Sequence, residues 1–296
     1  MIVKIEDKGL NVLRAIGWLA LAGCLTVQGF AESAEALSKA EELYKHTHYE
    51  ASLALLDQHS FNSPANFLIG RNYFMMGDFK KATEYLQKAV SGNPTSSEYM
   101  DWLGRVYGKR AETSNPLLAP GFASKARQAF EKSVELDGKN SEALSDLFDF
   151  YLEAPGFLGG GYEKAQAVAE RIAAVDPPEG YYVKAQLDKK RKEFGAAEQQ
   201  FRKAVAVAPQ EVGHLITLAK FLADQGRNKE SDAVFQQAEK VRPDAPQVWF
   251  ARADVLIKQR RNLDEAKSLL QKYVKAPITV DDPPKQEAAK LLKQVQ

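Results

Sequence analysis

Residues 63–94 read Ser63-Pro-Ala-Asn-Phe-Leu-Ile-Gly70-Arg-Asn-Tyr-Phe-Met-Met-Gly77-Asp-Phe-Lys-Lys-Ala82-Thr-Glu-Tyr-Leu86-Gln-Lys-Ala89-Val-Ser-Gly-Asn-Pro94. Ala82, Leu86 and Ala89 stand at i, i+4 and i+7, which keeps one face of an α-helix apolar. Before them, Asn66, Ile69, Gly70 and Tyr73 trace the inner face of a second helix. Gly77-Asp78 supplies the turn between the two, and Pro94 ends the pair because proline cannot continue a helix. The stretch is therefore a helical hairpin in which small residues alternate with large ones, as two closely approaching helices require.

The same frame recurs along the chain. Pro209 and Pro243 lie 34 residues apart. Ten residues after Pro94, Pro209 and Pro243 stand Gly104, Ala219 and Ala253. Twelve before them stand Ala82, Ala197 and Ser231, and Pro177 and Gly138 have Ala165 and Ala126 at that place. The first-helix pattern returns as Met100/Leu103/Gly104/Tyr107, Leu144/Leu147/Phe148/Tyr151, Leu215/Leu218/Ala219/Leu222 and Trp249/Arg252/Ala253/Leu256. The second returns as Ala126/Phe130/Ser133, Ala197/Phe201/Ala204 and Ser231/Phe235/Ala238. A fixed period of this size is the mark of a repeat array, in which each hairpin buries its apolar face against the next.

The period, the Ile69-Gly70-x-x-Tyr73 and Leu103-Gly104-x-x-Tyr107 elements, the Gly77-Asp-Phe-Lys-Lys-Ala82 run and the terminal prolines resemble the tetratricopeptide repeat (TPR) family. The resemblance extends over 33–280 as about seven repeats: 33–62 (irregular), 63–96, 97–140, 141–177, 178–211, 212–245 and 246–280. It implies an all-α solenoid of antiparallel helix pairs coiled into a right-handed superhelix. Gly70, Ala82, Gly104, Ala126, Ala165, Ala197, Ala219 and Ala253 would be its packing residues. A capping helix is expected in 281–296, with Asp282 as N-cap and proline in the first turn. In the family the first helix of each repeat lines the concave groove. Here that implies Phe67, Arg71, Asp101, Arg105, Tyr182, Gln186, Lys220, Phe250 and Asp254. The Lys/Asn clamp by which chaperone-binding members hold a carboxylate has no counterpart at the matching positions. Lys184, Asp188 and Arg252 stand where apolar residues are usual, and repeat five is closed up by two residues, so looser or bent joints are expected there.

Two turns are longer than the others, 108–123 and 153–161. Both contain Ala-Pro-Gly-Phe, at 119–122 and 154–157, 35 residues apart. Pro-Gly favours a type II turn. Stacked loops on adjacent repeats would then hold Phe122 and Phe157 on one ledge, either as a binding edge or simply packed with Leu117 and Leu118.

The first thirty residues read as an address. Lys4, Lys8 and Arg14 precede an apolar run from Ala15, which is short for a membrane span of about 20 residues. Two cleavage readings stand. Gly29-Phe30-Ala31 fits a secretory signal over 1–31. Leu21-Ala22-Gly23-Cys24 resembles a lipobox, with a lipoprotein signal over 1–23 and Cys24 acylated for membrane attachment. An uncleaved anchor is the third reading. Each places the body of the protein outside the cytoplasm, in the periplasm or envelope. Removing 1–31 takes three basic and two acidic groups from totals of 40 and 39, leaving 37 of each. That balance speaks against phosphate-driven nucleic-acid binding. A single cysteine excludes an internal disulfide.

No catalytic signature, metal-ligand set or cofactor motif emerges. Gly156-Phe-Leu-Gly-Gly-Gly161 lacks the Gly-Lys-Ser/Thr ending of a phosphate loop. His46 and His48 point apart on a helix, His59 stands nearby, and His214 has no evident partner. Lys189-Lys-Arg-Lys192 suits the negative end of a helix dipole. The sequence thus points to a non-catalytic scaffold of the bacterial cell envelope that binds a protein or extended peptide. Its rival is a glycan or polymer carrier in envelope export, with Phe67, Tyr182 and Phe250 stacking on sugar rings.

Overall fold

The computed structural model describes residues 34–56 and 62–295. The 1–31 address, Cys24 and His59 lie outside them. Among the described residues all regular structure is helical. Helices α1 (34–45) and α2 (Tyr49–Leu56) form the first hairpin, followed by α3 (Ser63–Met75) with α4 (Phe79–Gly92) and α5 (Ser97–Thr113) with α6 (Ala119–Leu136). Next come α7 (Ser141–Glu153) with α8 (Tyr162–Val175), α9 (Pro177–Lys190) with α10 (Phe194–Val207), and α11 (Val212–Asp224) with α12 (Asn228–Val241). The last hairpin is α13 (Pro246–Lys258) with α14 (Leu263–Lys275), and α15 (Lys285–Leu292) follows it.

Local chemistry sets the boundaries. The side chains of Asn62, Asp78, Ser96, Asn140 and Asp176 each accept the backbone N–H three residues on, satisfying a donor left free at a helix start. Pro64, Pro178 and Pro246 stand in the first turns of their helices, where a missing N–H costs nothing.

Packing follows the alternation of small and large. Ala82, Ala126, Ala165, Ala197, Ala219 and Ala253 are fully buried. A Cβ on Gly70 would stand 2.6 Å from the Leu86 Cγ, and one on Gly104 2.6 Å from the Phe130 ring, so these glycines set how closely α3 meets α4 and α5 meets α6. Each buried leucine or phenylalanine contributes about 1.5–3 kcal/mol of transfer free energy.

The two long turns differ from their reading in sequence. Residues 108–123 are largely helical: α5 runs on to Thr113 and α6 starts at Ala119, leaving only 114–118 between them. Asn115 accepts the N–H groups of Leu117 and Leu118 and starts the chain toward α6. Ala119-Pro120-Gly121-Phe122 is the first turn of that helix, not a type II turn. Pro155-Gly156-Phe157-Leu158 leads into a 3-10 turn, and the left-handed residue that ends it is Gly159 (φ 94°), not Gly156.

The expected loosening at repeat five is instead a tight joint. Asp176 alone separates α8 from α9, capping the C-terminus of one and the N-terminus of the other. A Cβ on Gly180 would lie 2.5 Å from the Ala173 Cα. Lys184 and Asp188 are half-buried, and the apolar core divides here. Val183 and Leu187 belong to the cluster running back to Phe67, while Ala185 belongs to the one running on to Val255. Arg252, in place of leucine, lies between Glu239 (3.0 Å) and Glu265 (2.6 Å).

At the C-terminus α15 covers the last apolar surface, with Ala288 in the cluster of Ala253, Leu256, Leu270 and Tyr273. Its start is not capped by Asp282. That carboxylate accepts the N–H of Thr279 (2.9 Å), and the helix begins at Lys285 after Pro284. The linker before α15 returns to the beginning of the array: the Val280 N–H donates to the Lys45 carbonyl (3.1 Å), and the Val280 side chain packs on the cluster of Tyr44, Leu53 and Leu56.

Candidate functional site

The inner helices α3 and α5 carry an aromatic and charged assembly. Arg71 lies over Tyr44 (4.4 Å) and Trp102 (4.8 Å), and its Nε donates to the Tyr44 hydroxyl (3.3 Å). Phe67 stacks on Tyr99 at 4.4 Å and meets Trp102 edge-on. Arg105 pairs with Asp101 (2.9 Å), Glu142 (3.0 Å) and Asp146. Burial, and then the neighbouring Asp146 carboxylate, push the Asp101 pKa upward, while Arg105 opposes them.

These positions depart from the groove map drawn from the sequence. Phe67 is 6 % exposed and Asp101 2 %, so both are parts of the helix-to-helix packing and not contact points for a partner. Phe67 is thereby removed from the set that could stack on sugar rings. Arg71 and Arg105 are half-buried and engaged within the protein. Tyr182 accepts from the Gln186 amide (2.8 Å) and leans on Phe201. Phe250 packs on Tyr273 (5.3 Å). Lys220 is exposed and Asp254 pairs with Lys258 (2.7 Å).

Nor do Phe122 and Phe157 share a ledge. The helical start of α6 turns Phe122 inward, where it stacks on Tyr107 at 6.4 Å with the Arg110 guanidinium 4.0 Å from its ring. Phe157 is 84 % exposed, and Leu117 is 93 % exposed.

What the two segments do form is a groove of about 900 Å³. Its floor is Phe74, Phe130 and Phe150. Pro116, Ala119 and Pro120 line it from the start of α6, and Pro155, Leu158 and the exposed Phe157 from the segment after α7. The other side carries Arg105, Lys109, Glu112, Asp146, Asp149 and Glu153. Asp149 also lines a neighbouring groove of about 650 Å³ between α9 and α11, with Asp176, Glu179, Tyr182, Glu211 and His214. Burial, then Asp176 and Asp149, push Glu179 up to about 7. Burial lowers the pKa of His214 against the pull of Asp176 and Glu211. A third hollow, of about 580 Å³, has Trp249 beneath the Lys272 ammonium, 3.6 Å from the ring centre.

No group of three or more His, Cys, Asp or Glu with metal-binding geometry occurs among the described residues, and no described helix is long and apolar enough to cross a membrane. His46 lies beside Glu42 (3.4 Å) at the end of α1. In the basic run, Lys190 reaches Glu153 (3.1 Å) and Arg191 lies 4.2 Å from the Tyr162 ring. The segments that line the groove are the two long turns marked in the sequence, but its shape is not legible there, because most of 108–123 is helix extension that reads as loop.

Residues 63–96 and 216–279 each match a tetratricopeptide repeat model. A tetratricopeptide repeat protein from Parabacteroides merdae has a similar structure, with TM-score 0.58 and 15 % identity over 90 % of this chain and 99 % of its own. A thermophilic TPR protein of Thermus thermophilus is similar with TM-score 0.54 and 19 % identity, over 64 % of this chain and 98 % of its own. Comparison with curated proteins gives no match. Two stretches of the chain thus carry tetratricopeptide repeats, and the helical array has the fold of the tetratricopeptide repeat proteins it resembles. Such repeats indicate a protein–protein interaction scaffold.

Proposed function

We propose that the protein is a non-catalytic scaffold of the bacterial cell envelope that holds a segment of a partner protein. The observation that carries this reading is the open groove between the α5–α6 hairpin and the 154–158 segment. It combines an apolar floor with an exposed phenylalanine at its rim, and large exposed apolar side chains beside a concavity mark interaction sites in folded proteins. The envelope part rests on the basic, apolar and small-residue succession of 1–31, with Cys24 as the lipid attachment point if the lipobox is the site cut. No cofactor enters the scheme.

A photo-crosslinking residue in place of Phe157, in the full chain expressed in its own cell, tests the scaffold reading. A discrete protein adduct is expected. Crosslinks to polysaccharide alone, or no protein adduct from the probe at Phe157 and at exposed Lys220 alike, would overturn it. Fractionation of Cys24→Ser tests the anchor: release of the protein from membranes supports acylation, and an unchanged soluble distribution in both forms refutes it.

A further inference from the structure

The groove under the 154–158 segment is chemically one-sided. Pro116, Pro120 and Pro155 themselves offer no N–H donor and have a fixed φ, so these parts of the lining present stiff, largely apolar ring surface. The charged side is nearly neutralised internally. Lys109 pairs with Glu112 (2.8 Å), Arg105 with Asp146, and Glu153 with Lys190 (3.1 Å). Among the described residues Asp149 finds neither a side-chain hydrogen bond nor an ion pair, and it is exposed at the mouth shared with the α9–α11 groove. Partial desolvation among its neighbours, then Asp146 and Glu153, raises its pKa. Beyond Asp149 the surface stays acidic, with Asp176, Glu179 and Glu211.

Resting on the scaffold reading, we infer that this groove docks an extended protein segment whose apolar side chains pack against Phe157 and Leu158 and whose lysine or arginine, a few residues away, pairs with Asp149. The apolar part supplies most of the affinity and the cation sets orientation, since an exposed ion pair contributes little by itself. An acidic segment is rejected, because its carboxylate would meet Asp149 and Glu211 while the cations lining the groove, Arg105 and Lys109, are already paired.

The test is selection of 12-residue peptides from a phage-displayed random library against the full chain, followed by fluorescence anisotropy of one selected synthetic peptide. Selected sequences are expected to pair an apolar cluster with lysine or arginine. Asp149→Lys should weaken the peptide about ten-fold or more, by removing an attraction and adding a repulsion, and Phe157→Ala by a similar factor. Exchanging the peptide's basic residue for glutamate should restore binding to Asp149→Lys, a result that no loss of folding could produce. Peptides that bind equally to wild type, Asp149→Lys and Phe157→Ala would overturn this assignment while leaving a scaffold that works through another face. Failure to select any peptide would overturn both.

Discussion

Replacing Gly180 by alanine would set a Cβ 2.5 Å from the Ala173 Cα, 2.6 Å from its Cβ and 3.2 Å from its backbone nitrogen. Two of these three atoms belong to the backbone of α8, so no side chain can rotate to make room. With only Asp176 between α8 and α9, the helices can part only by opening the joint. Forcing an extra methyl into such a contact costs about 1–3 kcal/mol, and the better helix propensity of alanine returns at most about 1 kcal/mol. The net effect is a loss of up to about 2 kcal/mol, or several degrees in the melting temperature of a domain this size at about 2–4 °C per kcal/mol. Gly108→Ala is the matched control. It lies inside α5 with nothing within 4 Å of the place its Cβ would take, and should stabilise by about 0.5–1 kcal/mol. Thermal unfolding followed by circular dichroism compares the two, and hydrogen exchange locates the Gly180 effect in α8–α9. A Gly180→Ala protein as stable as the parent would refute the claim that backbone contact sets this joint.

Glu179 gives a pH prediction. Its pKa is raised to about 7 in the folded state, against about 4.3 for a free glutamate. The stability it contributes is therefore present below about pH 4 and lost as pH rises through 7. Melting temperature should fall between pH 5 and 8, and Glu179→Gln should flatten that fall; an unchanged slope would be contrary. Arg252→Leu, which restores the residue usual in the repeat, should destabilise by about 1–3 kcal/mol because Glu239 and Glu265 lose their shared cation. Urea unfolding of Arg252→Leu together with Glu239→Gln and Glu265→Gln should recover most of the loss, and no recovery would contradict the pairing.

The helices are legible because their packing is written in single residues at fixed spacing. Gly70 and Ala82 can be small for one reason only, that another helix passes over them. The long turns are not, because identical words stand in different settings. Ala119-Pro-Gly-Phe follows Asn115, whose side chain turns the backbone into a helix, and Pro120 then occupies a position where proline favours helix. Ala154-Pro-Gly-Phe follows the end of α7 and precedes three glycines, so it closes as a 3-10 turn at Gly159. Groove-facing positions are half legible. Phe67 has the right register, but whether it faces solvent depends on Tyr99 and Trp102 of the next repeat, contacts that a position within one repeat does not encode. Arg252 shows itself only as an anomaly, since its partners Glu239 and Glu265 come from the flanking second helices.

The contact of Val280 with Lys45 changes how such an array comes apart. A linear stack of repeats behaves as a one-dimensional chain of neighbours whose terminal units fray first, each held from one side only. Here the linker after the last hairpin bears on the first, so the two weakest units brace one another and the chain of neighbours becomes a closed circuit. Loss of order at either end then exposes apolar surface at both, which converts independent fraying into a single shared event.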